Sequence, residues 1–180
     1  GNLEEQRSNR SNAIDAYTSA LQLNPQLVDI REKLAGLLIK NGQLKEAANQ
    51  LKFVTTHSPK NANAREQLGD IYTDIGRPRL ALEAYLNAIR YGYTSEQIFV
   101  KAARLQLYEL GQLAPATRTL NRVLQINPDN PQAHYLIGVA LKDQDQLQAA
   151  KAHFNRYLAL APNGEFAQEV RSELANLGTR

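Results

Sequence analysis

The side chains best suited to ligate a metal are three histidines, at positions 57, 134 and 153. They form no HExxH motif, and none stands four residues from another, the spacing that sets two rings on one helix face. Packing between helices or at the surface is therefore their expected role. Ser8, Ser19 and Ser58 carry potential nucleophiles, but no histidine and acid are placed to activate them rigidly. Neighbouring carboxylates such as Glu4 and Glu5 read as solvated helix residues. The glycines are single and periodic, so no glycine-rich loop cradles a phosphate. Cysteine is absent, which excludes disulfides and thiolate metal sites. Neither catalysis nor a cofactor is expected of this chain.

Composition narrows the partner class. The 180 residues carry a formal charge of +3, spread evenly along the chain with no run of five like charges. A sequence pI near 9.2 from so small an imbalance is weak ground for nucleic acid. No apolar run is long enough to insert in a membrane, and no signal peptide is visible. Methionine is absent, so the chain is read as a processed form or an excised fragment, with Gly1-Asn2 as a tag remnant. Absence of cysteine fits a cytoplasmic or a periplasmic setting equally.

Organisation comes from period. Pro25 and Pro59 lie 34 residues apart, as do Pro128 and Pro162. The gap between Pro59 and Pro128 is 69, two periods plus one residue, and Tyr93 stands where a proline is missing. Gly42, Gly76 and Gly111 form a second grid with Asp145 in its fourth place. Ala47, Ala81, Ala116 and Ala150 form a third. Self-similarity at this period signals a stacked helical repeat. Each unit reads as two amphipathic helices. In the last, Asn130 is a suitable N-cap and Pro131 suits the first helical position. Ala133, Ile137, Ala140 and Leu141 recur at helical spacing, and so do Leu147, Ala150, Phe154, Tyr157 and Leu158. Pro162 stops the second helix. The grid glycines sit between the helices of a unit, where a positive φ is easiest for glycine.

These units resemble the tetratricopeptide repeat. The unit from Ala62 shows Leu68-Gly69, Tyr72, Gly76, Ala81, Tyr85 and Ala88. The last shows Ile137-Gly138, Leu141, Ala150, Phe154 and Pro162. The first full unit shows Leu34-Ala35, Leu38, Gly42, Ala47, Leu51 and Pro59. The third departs most, with Arg104 in the place of the small residue. The resemblance implies an all-α, right-handed α-solenoid of tandem helix-turn-helix repeats. Its expected divisions are a partial repeat at 1–27, the second helix of a truncated unit whose first helix survives only as residues 2–8 before a turn. Repeats follow at 28–61, 62–96, 97–130 and 131–164, then a capping helix at 165–180 with Phe166, Val170, Leu174 and Leu177 in one stripe. High Asn and Gln content and the stretch Ala161-Pro162-Asn163-Gly164 suggest a bacterial or organellar source.

By the same resemblance the first helix of each unit lines a concave groove. The first two units would present Asp29, Glu32, Glu66, Asp70 and Asp74, five acids against Lys33 and Lys40. The last two would present Ile98, Lys101, Leu105, Tyr108, Tyr135, Leu136 and Val139, an apolar channel. The alternative role for those apolar residues is packing between tightly curved helices. The basic clamp that some arrays use for a C-terminal carboxylate is missing, since Glu32, Gly36, Gln67, Ile98 and Ala102 occupy its places. The expected function is a non-catalytic scaffold or adaptor that holds a peptide or helix of a partner protein during complex assembly. The alternatives are a regulatory repeat segment of a larger enzyme and a self-association module acting through the N-terminal half repeat.

Overall fold

The computed structural model describes residues 2–178; Gly1 of the expected tag remnant and residues 179–180 of the expected capping segment lie outside it. Among the described residues the structure holds ten helices and no strand. Helix α1 spans Asn2–Leu23, followed by α2 (Val28–Lys40) and α3 (Leu44–His57). Then come α4 (Ala62–Asp74), α5 (Pro78–Arg90), α6 (Glu96–Arg104) and α7 (Leu113–Ile126). Helices α8 (Pro131–Lys142), α9 (Leu147–Leu160) and α10 (Ala167–Gly178) complete the chain. The helices pair as α2–α3, α4–α5, α6–α7 and α8–α9, giving the expected α-solenoid of tandem helix-turn-helix repeats. They form two compact units that divide between Tyr93 and Thr94.

The turn inside each pair is built as the grid requires. Gly42, Gly76 and Gly111 adopt φ of 77°, 68° and 63°, and Asp145, in the fourth place, adopts 58°. This left-handed conformation closes a helix C-terminus by returning a backbone N–H to an orphan carbonyl. Gln43 N donates to Leu38 O, Arg77 N to Tyr72 O, and Gln146 N to Leu141 O, each reaching back five residues. Between pairs, side chains do the capping. Asn61 accepts from Ala64 N at 2.9 Å, Ser95 from Ile98 N at 3.3 Å, and Asn130 from Ala133 N at 2.9 Å. The grid prolines also serve as acceptors. The Pro25 and Pro59 carbonyls accept from Arg31 Nε and Arg65 Nε at 3.0 Å, and the Pro128 carbonyl lies 3.0 Å from His134 Nε2.

The small residues set the approach of the two helices. A Cβ built on Gly69 would lie 2.6 Å from Cδ1 and 2.9 Å from Cζ of Tyr85, and one on Gly138 would lie 2.6 Å from Cδ1 of Phe154. Tyr85 and Phe154 are fully buried, so neither ring can swing aside. The Tyr85 hydroxyl is further tied to Asp70 Oδ1, to which it donates at 2.6 Å.

Two expectations at the N-terminus and in the third pair are corrected. No turn follows Ser8; residues 2–23 form one continuous helix, since the polar stretch Ser8–Asn12 contains neither glycine nor proline to break it. The first helix of the third pair starts at Glu96, capped by Ser95, rather than at residue 97. Counted from that cap, the small-residue place falls on fully buried Ala103, not on exposed Arg104. The one-residue surplus lies later, in a π-helical turn at Leu105–Glu109. There Leu110 N donates to Leu105 O, and the closing bond from Gln112 N reaches back six residues, to Gln106 O, instead of five. A π-turn is how a helix admits one extra residue without losing its axis.

Two measurements follow from these contacts. Gly69→Leu should lower unfolding free energy by about 1–3 kcal/mol, the range for overpacking a core, read from denaturant melts; an unchanged midpoint would show that the contact with Tyr85 yields. Helix α1, in which Leu21 is the one buried side chain among those described, should exchange its amides fastest, because an end helix has a neighbour on one side only. Protection of residues 13–21 equal to that of α4 would show that a further molecule covers them.

Candidate functional site

In the first unit the five acids of the expected face lie on α2 and α4. Asp29 and Asp74 are exposed, and Glu32, Glu66 and Asp70 are half-buried. Two of these carboxylates also hold structure. Glu32 Oε2 accepts from Asn61 Nδ2 at 2.9 Å, and Asp70 accepts from Tyr85. Burial first, then the bond to Asp70, holds the Tyr85 phenol far above its usual range. Asp29 and Asp74 are therefore the carboxylates that the fold leaves to solvent on this face.

In the second unit the expected apolar channel is corrected. Ile98, Leu105, Tyr135 and Leu136 are buried, at 0%, 6%, 5% and 1% exposure, while Tyr108 is 51% exposed and Val139 half-buried. The reasons differ by helix. On α6 the start at Glu96 turns Ile98 and Ala102 inward and leaves Lys101 half-buried and Arg104 exposed. On α8 the C-terminal helix covers the face. Tyr135 stacks on Phe166 with ring centroids 4.0 Å apart and planes 3° from parallel. Its hydroxyl donates to Glu169 Oε1 at 2.8 Å, and Lys142 Nζ meets Glu173 Oε1 at 2.8 Å. Burial, then the bond to Glu169, drives the Tyr135 phenol far above the usual tyrosine range. Segment 165–178 thus sits on α8 as a further first helix would, with Val170 and Leu177 buried and Phe166 and Leu174 half-buried.

What remains on the inner side of the second unit is compact. Tyr108 projects from the π-turn beside the Tyr135 hydroxyl, with Arg104, Asp143 and Glu169 in its electrostatic surroundings. Partial burial is the main cause that raises its phenol above the ordinary value. Val139 and Lys142 stand on α8, and Asp143 is its C-cap. The π-turn thus bears the exposed ring of this face.

One constellation escaped the sequence. His134 and His153, nineteen residues apart, bring their Nδ1 atoms to 3.0 Å across the α8–α9 pair. The Pro128 carbonyl can only accept, so His134 Nε2 carries a proton toward it. His134 Nδ1 is then an acceptor for the proton on His153 Nδ1, which suits two neutral rings. The signal was available, since facing positions of paired helices recur at a fixed separation, but i, i+4 spacing does not test for it. Among the described residues no group of three or more His, Cys, Asp or Glu is gathered to hold a metal, and no helix is long and apolar enough to cross a membrane.

This pair gives a pH prediction. Burial first, and His134 second, lower the His153 pKa below its ordinary 6.5. A folded-state pKa below the unfolded one gives stability that is complete above the unfolded value and is lost as pH falls through the folded value. Thermal melts from about pH 7.5 to about pH 5 should show an acid-side loss in the parent that is reduced in His153→Gln. Equal losses in both would assign the acid sensitivity elsewhere.

Comparisons with known proteins agree with this architecture. Tetratricopeptide repeat models match residues 6–54, 33–96 and 131–163, and a TPR repeat model matches residues 105–145. The human protein O-mannosyl-transferase TMTC1 is 27% identical over 173 residues, 93% of this chain and 19% of that protein. The chain thus spans about a fifth of that relative's length. Among solved structures, the MamA protein superimposes with a TM-score of 0.76 at 22% identity, covering 90% of this chain and 88% of that one. YrrB, described as a TPR protein with an unusual peptide-binding site, gives 0.70 at 19% identity, covering 91% and 93%. These two likenesses concern fold. With family models along nearly the whole sequence and paired helices closed by a left-handed residue at every grid position, the chain belongs to the tetratricopeptide repeat family, a fold of protein-interaction scaffolds.

Proposed function

We propose that this chain is a non-catalytic adaptor that holds a segment of a partner protein on its first-helix faces while a complex assembles. The observation that carries the reading is the half-exposed ring of Tyr108, carried on the π-turn at Leu105–Glu109. An aromatic side chain offers large contact area at small entropic cost, and such rings dominate interface energies. Val139 adds apolar area on the same unit. On the other unit Asp29 and Asp74 favour basic side chains of a partner and speed encounter more than they add affinity. The peptide-binding site ascribed to YrrB supports a peptide as the ligand class. A C-terminal carboxylate is not the expected ligand, because Glu32, Gln67 and Ala102 stand where a basic clamp needs other chemistry.

A second reading is favoured by one observation. The chain matches only about a fifth of a much longer mannosyl-transferase. In that reading it is the interaction segment of a larger enzyme, and the same faces would position that enzyme's protein substrate or regulator.

The test is surface plasmon resonance against a partner recovered with the array as bait. Tyr108→Ala should weaken binding by more than about 1 kcal/mol, mainly through faster dissociation. Asp74→Lys should slow association and flatten its salt dependence. Unchanged rates in both, with changed rates for substitutions on exposed second-helix residues such as Arg122, would move the site to the outer side. Tyr135→Ala serves poorly here, since removal of a buried ring costs about 3–5 kcal/mol of fold stability.

A further inference from the structure

We propose that a second docking site lies on the outer side of the first unit, in the cleft between α3 and α5, and that it takes an acidic segment of a partner protein bearing an aliphatic anchor. The two second helices flank the cleft, and Leu68 and Tyr72 of α4 form its floor. Two hollows of about 300 and 500 Å³ share Lys52, Tyr72 and Leu80, so they form one continuous depression. Leu80 is 43% exposed on its wall, a large aliphatic side chain that the fold does not cover.

Charge selects the occupant. Lys45, Lys52, Arg65 and Arg77 line the depression, against one acid, Glu83. Arg65 is committed locally, since its guanidinium donates to the Pro59 and Thr55 carbonyls and lies over the Tyr91 ring. Lys45, Lys52 and Arg77 are exposed, so they can turn toward a ligand. The rest of the chain shows that the repeat does not demand this pattern. Helices α7, α8 and α9 begin at Leu113, Pro131 and Leu147, each 69 residues after α3, α4 and α5 at Leu44, Ala62 and Pro78. At that offset the four cations become Ala114, Asn121, His134 and Gln146, Asn49 and Asn87 become Arg118 and Arg156, and Leu80 becomes Ala149. The counterpart thus keeps two arginines at other places, one of them paired with Asp129, and lacks the leucine that stands among the cations here.

An excess of cations around a shallow apolar floor fits carboxylates flanking a leucine or isoleucine. The room suffices for a few side chains of an extended or helical segment, not for a folded domain. This partner chemistry is opposite to the one the acidic first-helix face favours, so the site goes beyond the function proposed above. Two segments of different charge could be held at once on the two sides of the unit.

The probe is a short fluorescein-labelled peptide with Glu and Asp around a central Leu-Ile pair, titrated by anisotropy against the full chain. It should bind the parent with an affinity that falls as salt rises. Lys52→Glu combined with Arg77→Glu should weaken it by at least about tenfold, and Leu80→Asp should do likewise, with unchanged circular dichroism and melting in both. Tyr108→Ala, on the first-helix face, should leave it unchanged. The proposal is overturned if the parent does not bind, if the cleft variants bind as the parent does, or if Tyr108→Ala is the variant that loses binding. It is equally overturned if oligo-dT or phosphatidylserine vesicles bind at the cleft in preference to the peptide. Concentration-dependent light scattering that Leu80→Asp abolishes would make the occupant a second copy of this chain, and would also overturn it.

Discussion

The close approach of two helix backbones within each pair is the constraint on which the array rests. Gly69 leaves room for the Tyr85 ring, and Gly138 leaves room for Phe154. A side chain at either glycine would push the second helix away and uncover the alanines that line the seam, such as Ala81 and Ala150. Each pair buries its ring against the space where its partner has no Cβ, and that fit fixes which faces of the two helices turn to solvent. Ala35 and Ala103 fill the same place in the first and third pairs, where the facing side chains, Leu51 and Leu120, are smaller than an aromatic ring.

Against so regular a frame, an irregularity is informative. The third pair carries one residue too many, and the chain absorbs it in the π-turn of its first helix rather than in a loop. The seam residues before and after the turn therefore keep their places: Ala103 remains at the helix contact, and Leu107 remains buried. The ring at 108, within the turn, is half exposed. Extra residues in helices tend to persist where they serve a site, and here the π-turn bears the one exposed aromatic on the inner side of the second unit among the described residues.

Much of the architecture was legible in the sequence. Periodic glycines foretold the left-handed turns, and even Asp145 follows the grid, at φ 58°. Gly69 and Gly138 foretold the tight contacts. The misreadings share a cause: a period of 34 residues locates an insertion only to within one repeat. The missing proline at Tyr93 drew the surplus to the loop, whereas Ser95, a cap residue matching Asn61 and Asn130, already fixed the helix start. That shift of one residue misassigned Ile98 and Leu105 to the open face. Tyr135 and Leu136 were misassigned for another reason. Their covering depends on where α10 lies in space, and the stripe of Phe166, Val170, Leu174 and Leu177 shows that a helix packs without showing on what.

The most direct test of the account is site-specific photo-cross-linking with a benzophenone amino acid placed at 108 and, in a separate variant, at 122. Residue 108 lies on the first-helix side and residue 122 on an exposed position of α7. The probe at 108 should capture a discrete partner protein that the probe at 122 does not. Capture from 122, with none from 108, would contradict it.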